Sequence, residues 1–189
     1  MLPSSVPAAE RVLLRLVTQQ DALTLATLWQ DEQVRAHLGG PVNKQEAKKK
    51  SHEYVCRAGA FAVAVPRSRP FGLVMVEPHA SGDFEVSYMF QPQAWGHGYA
   101  TNALRAVVEW SFGDAALPRL TAITQSANER SSALLARVGF RAELEFVEYG
   151  AAQTLFAAQP GSTGWVATRL SSESAVSRTG QGSTSWSWI

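Results

Sequence analysis

The chain has 189 residues, of which 46% are hydrophobic, and a formal net charge of +1. This length predicts one domain, or one domain with a tail, and allows a sizeable core. The small charge excludes the basic field that nucleic-acid binding needs, and the single cysteine excludes a disulfide framework or a multi-cysteine metal site. We therefore expect no metal.

Apolar periodicity and turn signals divide the chain into alternating strands and helices. Thr18 with Asp21, and Asn43 with Glu46, are capping pairs that would start the first two helices. Cys56 would lie in the second helix as a core or boundary residue. Strands and helices on a mixed sheet predict an α/β layered domain. The predicted elements are a strand over 12–17, helices over 18–30 and 43–57, strands over 61–66, 71–76 and 84–90, a helix over 98–112, a strand over 120–124, a helix over 131–138 and strands over 141–146 and 153–158.

The composition changes near the C-terminus. From there on, Ser, Thr and Gly make up roughly half of the residues without periodicity, which predicts a flexible tail. The predicted organisation is a domain over residues 1–159 and a tail over 160–189. In an alternative interpretation, the tail docks its tryptophans on the domain or on a partner subunit. Those residues are Trp165, Trp186 and Trp188.

Targeting signals are missing from the sequence. The first residues lack the charged start and apolar core of a signal peptide. No apolar run approaches the ~20 residues that a bilayer-spanning helix requires. We therefore expect a cytoplasmic protein without a membrane or nucleic-acid partner.

The segment from Glu85 to Thr101 carries the most functional information. A strand-like run breaks at Pro92 and enters a loop with Gly96 and Gly98, and an apolar-periodic helix follows at once. The first turn of a helix has free backbone N–H groups that attract anions, and glycine lets an anion come close because it has no Cβ. The loop lacks the Gly-Lys-Ser/Thr of a P-loop and the third glycine of a dinucleotide fingerprint. The pattern therefore predicts a phosphate cradle of another type.

Three stretches resemble motifs of the GNAT superfamily of N-acetyltransferases, in particular its ribosomal-protein N-terminal (alanine) acetyltransferase branch. Residues 92–101, Pro-Gln-Ala-Trp-Gly-His-Gly-Tyr-Ala-Thr, are similar to the family's acyl-CoA pyrophosphate loop, with Trp95 where most members have Arg or Gln. Residues 128–140 match the spacing of Asn, Ser and Gly-Phe in the family's fourth helix and its exit, and residues 15–21 resemble its first strand and helix start. The resemblance implies a mixed, mostly antiparallel sheet of about six to seven strands flanked by about four helices, in the order β-α-α-β-β-β-α-β-α-β-β.

The same resemblance implies acetyl-CoA as cosubstrate. Backbone N–H groups of the loop would face the pyrophosphate, and the end of the preceding strand would offer main-chain groups to the pantetheine arm and to the oxyanion. The side chain of Asn128 would bind a pantetheine amide, although it could instead only cap a helix. The implied cofactor-binding residues are Met89, Phe90, Trp95, Gly96, His97, Gly98, Tyr99, Ala100, Thr101, Asn128 and Ser131.

Transfer of an acetyl group to an amine needs a base for the amine's proton and a donor for the leaving thiolate. Many superfamily members carry a tyrosine donor near the end of the fourth helix, but this chain has Leu135 there. The resemblance implies Ser131 as the acid, unless Ser131 only caps the helix. It implies Glu148 as the base, with Glu85 as the alternative. Either carboxylate could act through water, and each could instead be a surface residue.

The acceptor implied by the resemblance is the α-amine of a protein or peptide. A small amine such as an antibiotic or polyamine is the main rival, because the acidic group Glu143, Glu145 and Glu148 would suit any cationic acceptor. A non-catalytic acyl-CoA-binding regulator is a further alternative, favoured only by the missing tyrosine. We expect the acceptor pocket to form from the loops over 38–43 and 145–153, in a monomer or homodimer.

Overall fold

A computed structural model describes residues 7, 9–79 and 81–161 of the chain. These residues form seven strands and five helices. The strands are β1 (Leu13–Leu16), β2 (Ala60–Ala64), β3 (Gly72–Pro78), β4 (Phe84–Phe90), β5 (Leu120–Gln125), β6 (Arg141–Glu148) and β7 (Ala151–Ala158). The helices are α1 (Ala22–Gln30), α2 (Glu32–Arg35), α3 (Lys44–His52), α4 (Tyr99–Phe112) and α5 (Glu129–Arg137).

The strands build one sheet in the order β1-β2-β3-β4-β5-β7-β6. Neighbouring strands are antiparallel except for β4 and β5, which are parallel. The predicted fold class, a mixed and mostly antiparallel sheet with flanking helices, is confirmed. The additional helix is α2, a single turn that begins where the Asp31 side chain accepts hydrogen bonds from the backbone N–H groups of Gln33 and Val34.

Each face of the sheet covers its own hydrophobic core, because side chains alternate along a strand. On β4, Val86 and Phe90 pack into the core that also contains the apolar faces of α4 and α5. Met89 packs on the opposite side, in the core that contains residues of α1 and α3. Functional side chains on β4 therefore reach different sides of the sheet according to their position.

The sheet opens between its two central parallel strands. β4 and β5 pair at two positions, Phe84 with Leu120 and Glu85 with Thr121. In the part of the chain that the structure describes, no further bridge joins them, although β4 remains paired with β3 and β5 with β7 to their last residues. Main-chain groups of both strands therefore line an opening in the middle of the sheet.

The helix predicted from Thr18 begins later, at Ala22. The backbone N–H and hydroxyl of Thr18 donate to the Asp21 carboxylate at 2.8 and 2.6 Å, and the Arg15 guanidinium donates to both of its oxygens at 2.5 and 2.8 Å. The Arg15 hydrogen bond is the main reason that the pKa of Asp21 falls to about 2. The capping pair therefore stabilises a turn that precedes the helix.

The second predicted helix does start at Asn43, whose side chain accepts from the backbone N–H of Glu46. It ends at His52 rather than near residue 57. The prediction for Cys56 was wrong: this residue is exposed, beyond the helix, with a φ of +55°. Its backbone N–H donates to the carbonyl of Val17, the residue after β1, at 2.8 Å. This N–H is therefore not available for a hydrogen bond that would continue the helix.

The predicted tail lies almost entirely outside the described residues, so the division of the chain at residue 159 stays a prediction. Within the described ranges, the longest helices fall short of the length and apolarity needed to cross a membrane. The same ranges contain no group of three or more His, Cys, Asp or Glu side chains that could hold a metal ion.

Candidate active site

The loop between β4 and α4 leaves the start of the helix open to an anion. Gly98 is the N-cap residue with a φ of +76°, and no side chain caps the helix. Gly96 also has a positive φ, +77°, and a Cβ built there meets nothing within 4 Å. The first-turn N–H groups of α4 are therefore not satisfied by a capping side chain, as a phosphate site requires. The predicted cradle from Gly96 to Thr101 fits the pyrophosphate of acetyl-CoA.

Trp95 fixes this loop to the end of β4. Its indole N–H donates to the carbonyl of Phe90 at 2.9 Å, and the guanidinium of Arg130 lies over its ring at 4.9 Å from the centroid. The Phe90 carbonyl, predicted to serve the pantetheine arm, is thus already engaged by the loop. The adjacent residue Met89 packs its side chain into the core on the other side of the sheet.

Two arginines that the sequence analysis missed flank the cradle. Arg130 stacks on the loop's tryptophan, and the guanidinium of Arg11 lies 5.8 Å from the ring centre of Tyr99. The Tyr99 ring also packs against Phe71 and His97, at centroid distances of 5.2 and 5.5 Å. Neither arginine belongs to the loop, and no spacing rule connects them to it. They bring positive charge beside a loop that has no arginine of its own.

Asn128 caps α5, which shows that Ser131 is not the capping residue, while the binding of a pantetheine amide by Asn128 stays a prediction. Its side-chain oxygen accepts from the backbone N–H of Ser131 at 3.2 Å. Ser131 is therefore not the cap; it is the third residue of the helix. Its hydroxyl instead forms a hydrogen bond of 2.7 Å with the hydroxyl of Tyr88 on β4.

Tyr88 is a site residue that sequence reasoning did not identify. It lies inside the segment from Glu85 to Thr101, but its place in an apolar strand indicated only core packing, and its ring does pack against the core. Desolvation raises the pKa of Tyr88 to about 12, partly opposed by the hydrogen bond with Ser131. Leu135, at the family's tyrosine position, is 1% exposed and is a core residue here.

Glu85 has the most perturbed carboxylate among the predicted catalytic residues. It lies directly opposite Glu77 in the pairing of β3 with β4. The pKa of Glu85 is raised to about 7, mainly by desolvation and in addition by the negative charges of Glu77 and Glu148. Glu77 is itself paired with Arg57. Glu85 is thus a half-buried carboxylate that gains its charge near neutral pH.

Glu148 is half-buried at the end of β6, next to the β6–β7 turn. The negative charge of Glu148 contributes to the raised pKa of Glu85 on β4. The acidic group predicted on β6 is not one cluster: Glu143 is paired with Arg119, which also contacts Asp83, and Glu145 is exposed. The relevant acidic neighbour of Glu148 is therefore on β4, which sequence spacing did not predict.

The segment after α2 closes against the opened strand β5. The ring of His37 hydrogen-bonds the side chain of Gln125, the last residue of β5, at 3.2 Å between Nδ1 and Oε1. On the other central strand, Gln91 donates to the hydroxyl of Thr27 on α1 at 3.0 Å. These two contacts connect the first helices to both sides of the opening, where the loop over 38–43 was expected to contribute.

The match to a known family agrees with this geometry. Residues 11–141 match the family model described as an acetyltransferase (GNAT) domain. The chain belongs to the GNAT acetyltransferases. The match confirms the predicted resemblance to the GNAT superfamily. It also confirms the prediction that the chain is an enzyme, an acyltransferase. A relative in Bacillus subtilis (strain 168), the uncharacterized N-acetyltransferase YoaA, is 23% identical over 151 residues, which cover 71% of this chain and 81% of that one.

Solved GNAT structures share the fold at low identity. A GNAT-family acetyltransferase from Bacillus anthracis superposes with a TM-score of 0.75 at 21% identity, over 82% of this chain and 98% of that one. Spermidine N-acetyltransferase from Vibrio cholerae, solved with CoA and spermine, gives 0.70 at 16% identity, over 81% and 98%. Ribosomal-protein-S5-alanine acetyltransferase from Vibrio fischeri gives 0.66 at 20% identity, over 82% and 96%.

Proposed function

We propose that this protein is an acetyl-CoA-dependent N-acetyltransferase of the cytoplasm that acetylates a primary amine, with Glu85 as the general base. The observation that carries the proposal is the half-buried Glu85 carboxylate, whose pKa is raised to about 7, beside the opening between β4 and β5. A general base works best when its pKa lies near the operating pH, because it is then both deprotonated and basic enough. The α-amine of a protein or peptide is the acceptor that the loop and α5 motifs favour.

The Glu85 side chain and α4 lie on opposite sides of the sheet. This arrangement suits a reaction in which two substrates enter from different sides. Alternation along β4 places Glu85 on the same side as Met89, whereas Tyr88 packs with the core under α4 and α5. The amine would enter from the side of Glu85 and the thioester from the side of α4. The two would meet in the opening between the central strands.

Each residue then has a defined task. Bound acetyl-CoA would supply the activated acetyl group, with its pyrophosphate on the N–H groups of α4. Glu85, directly or through a water, would take the proton of the attacking amine. Ser131 would donate its hydroxyl proton in a hydrogen bond to the sulfur as the thiolate leaves. Glu148, the base of the original prediction, would act by holding the pKa of Glu85 high.

A second acceptor class is favoured by the acid pair on neighbouring strands. Glu77 and Glu85 lie opposite each other, and the negative charge of Glu148 acts on Glu85, so that a substrate with several positive charges would gain from the site. A polyamine or aminoglycoside is therefore the competing substrate class.

An acceptor panel tests the proposal. Purified full-length protein is incubated with acetyl-CoA and alanine-starting peptides, the same peptides with a blocked N-terminus, spermidine or an aminoglycoside, and CoA release is followed with product mass. We expect acetylation of peptides with a free α-amine and none of the blocked ones. Turnover confined to the small amines would move the assignment to the competing class, and no turnover with any amine would overturn the proposal.

Carboxylate variants test the base. Glu85→Gln should lower kcat by on the order of 10²–10⁴-fold, the usual contribution of a general base. Glu148→Gln should retain turnover and move the enzyme's inflection in the pH profile to lower pH, because one negative charge near Glu85 is lost. Glu145→Gln, an exposed position on the same strand, is the matched control. Loss of turnover in Glu148→Gln with normal turnover in Glu85→Gln would assign the base to Glu148.

A further inference from the structure

The hydrogen bond between Tyr88 and Ser131 joins β4 to α5 on the face of the sheet that packs against α4 and α5. Tyr88 lies on β4 beyond the last residue paired with β5, and Ser131 lies on α5, which follows β5 in the chain. Their hydroxyl oxygens are 2.7 Å apart although the residues are 43 positions apart in sequence. The bond therefore joins two elements that are far apart in sequence, next to the space in which the thioester would lie.

The chemistry of the two hydroxyls sets the direction of this bond. A phenol is a stronger hydrogen-bond donor than an alcohol, and with its pKa raised to about 12 Tyr88 keeps its proton at neutral pH. With Tyr88 as the donor, the oxygen of Ser131 accepts. The hydroxyl hydrogen of Ser131 is left to point elsewhere, while its backbone is held by the cap that Asn128 provides.

We propose that Tyr88 is a positioning residue, which holds the Ser131 oxygen so that its O–H is aimed at the sulfur of the leaving thiolate. This inference rests on the proposed N-acetyltransferase reaction and on Ser131 as its donor. Tyr88 would thus hold the donor Ser131 in place, in a protein whose Leu135 has no hydroxyl to donate. A donor that is itself the acceptor of a hydrogen bond is also polarised, which strengthens the bond that it gives.

The proton and electron balance of the step is simple. When the bond between the acetyl carbon and sulfur breaks, the sulfur keeps the electron pair. Ser131 shares its hydroxyl proton with that sulfur in a hydrogen bond, and Tyr88 retains its own proton throughout. The proton lost by the amine leaves through Glu85, and the thiolate is protonated by solvent after release. No oxidant, reductant or metal is required.

A double-mutant cycle tests this role. The single-turnover rate of acetyl transfer and the KM for acetyl-CoA are measured for Tyr88→Phe, Ser131→Ala and the double variant. We expect Tyr88→Phe to slow transfer about tenfold and Ser131→Ala on the order of 10²-fold, with KM changed by less than about threefold in each. The double variant should be no slower than Ser131→Ala alone, because Tyr88 acts only through Ser131.

Control variants and the unaltered protein make the outcome decisive. Ser132→Ala, the neighbouring position on the same helix, should transfer acetyl at the normal rate. Additive losses in the double variant, or a normal rate in Tyr88→Phe, would overturn the role of Tyr88 while leaving the proposed function intact. If Tyr88→Phe lowers the melting temperature, the transfer rate of Ser131→Thr is measured as well, because this variant keeps a hydroxyl at position 131. A Ser131→Thr rate equal to that of Ser131→Ala would also overturn the role of Tyr88. An unaltered protein that acetylates no amine would overturn the proposed function and this role together.

Discussion

The carboxylate of Glu85 owes its properties to neighbours that are remote in the sequence. Glu77 faces it from the next strand, Arg57 is already paired with Glu77, and the charge of Glu148 on the edge strand β6 also acts on it. Desolvation and two like charges all disfavour its ionised form. A side chain that would be an ordinary acid on the surface becomes a group that titrates near pH 7.

Stability should depend on pH through this same residue. The pKa of Glu85 is about 7 in the folded protein against 4.5 for the free side chain, so folding binds a proton in that window. Its contribution to stability is full below pH ~4.5 and is lost as the pH rises through about 7. We expect Glu85→Gln, which mimics the protonated form, to match the unaltered protein at pH 5 and to exceed it in free energy of unfolding at pH 8. Urea denaturation at both values checks this, and equal pH dependence of the two proteins would contradict it.

The sequence predicted some site residues better than others, for physical reasons. The glycine loop, Ser131 and Glu85 are visible because local motifs carry them. Tyr88 was missed because alternation in a strand reports which side a residue faces, not whether its hydroxyl meets a partner 43 residues away. Arg11 was missed for the same reason: its place beside Tyr99 depends on how β1 packs near α4.

At the scale of elements, the start of α3 was predicted correctly because the local cap at Asn43 decides it, whereas α5 begins two residues before the predicted start because Asn128 caps it. The start of α1 was displaced because Arg15, from the preceding strand, competes for the Asp21 carboxylate. The end of α3 carried no Gly or Pro signal, and a backbone contact from Cys56 to Val17 determines it instead. The strands were predicted to within a few residues because buried strands such as β2 and β3 are short apolar runs bounded by turn residues.

Two glycine variants can distinguish a loss of CoA binding at the cradle, residues 96–101, from a general effect of backbone strain. Gly98→Val introduces a β-branched side chain at a φ of +76°, and its Cβ would lie 3.4 Å from the guanidinium of Arg11. We expect CoA affinity, measured by isothermal titration calorimetry, to fall more than about tenfold. Gly82→Val is the matched control, because Gly82 has a φ of +89° in the open turn before β4 and should lose stability without losing affinity. Normal affinity in a folded Gly98→Val protein would refute the cradle.

The pairing of β3 with β4 should tolerate no side chain at Gly72. A Cβ there would lie 2.4 and 2.6 Å from two ring atoms of Phe90, whose carbonyl anchors Trp95. We expect Gly72→Ala to cost about 1–3 kcal/mol of stability and to weaken CoA binding through the displaced loop. Thermal denaturation and calorimetry check both effects. A second change, Phe90→Leu, should recover part of the stability; if it makes the loss worse, the clash is not the cause.

At the scale of the whole molecule, the family match and the described domain occupy the same part of the chain. The family model covers residues 11–141, and β7 ends the sheet at Ala158. Everything that the proposed reaction uses lies within these limits. The residues that follow are rich in Ser, Thr and Gly, a composition from which we expect a tail without a core of its own.

Removal of residues 160–189 should therefore leave the enzyme largely unchanged. We expect a protein that stops at Gln159 to keep its melting temperature within a few degrees and its CoA affinity within about threefold. A protein in which the tryptophans of the tail are replaced by serine serves as the comparison at full length. A large loss of stability in both variants would mean that the tryptophans dock on the domain.

The early end of pairing between β4 and β5 has a consequence for amide exchange. Central strands normally exchange their amide protons most slowly, because their N–H groups bond to both neighbours. In this sheet, alternate N–H groups of β4 beyond Glu85 point towards a strand that they do not pair with. These amides should exchange quickly although they lie in the middle of the molecule, next to slow amides bonded to β3. A pantetheine arm bound in the opening would slow the exchange of these amides selectively. The exchange rate of the least protected part of the sheet therefore measures whether the opening is occupied.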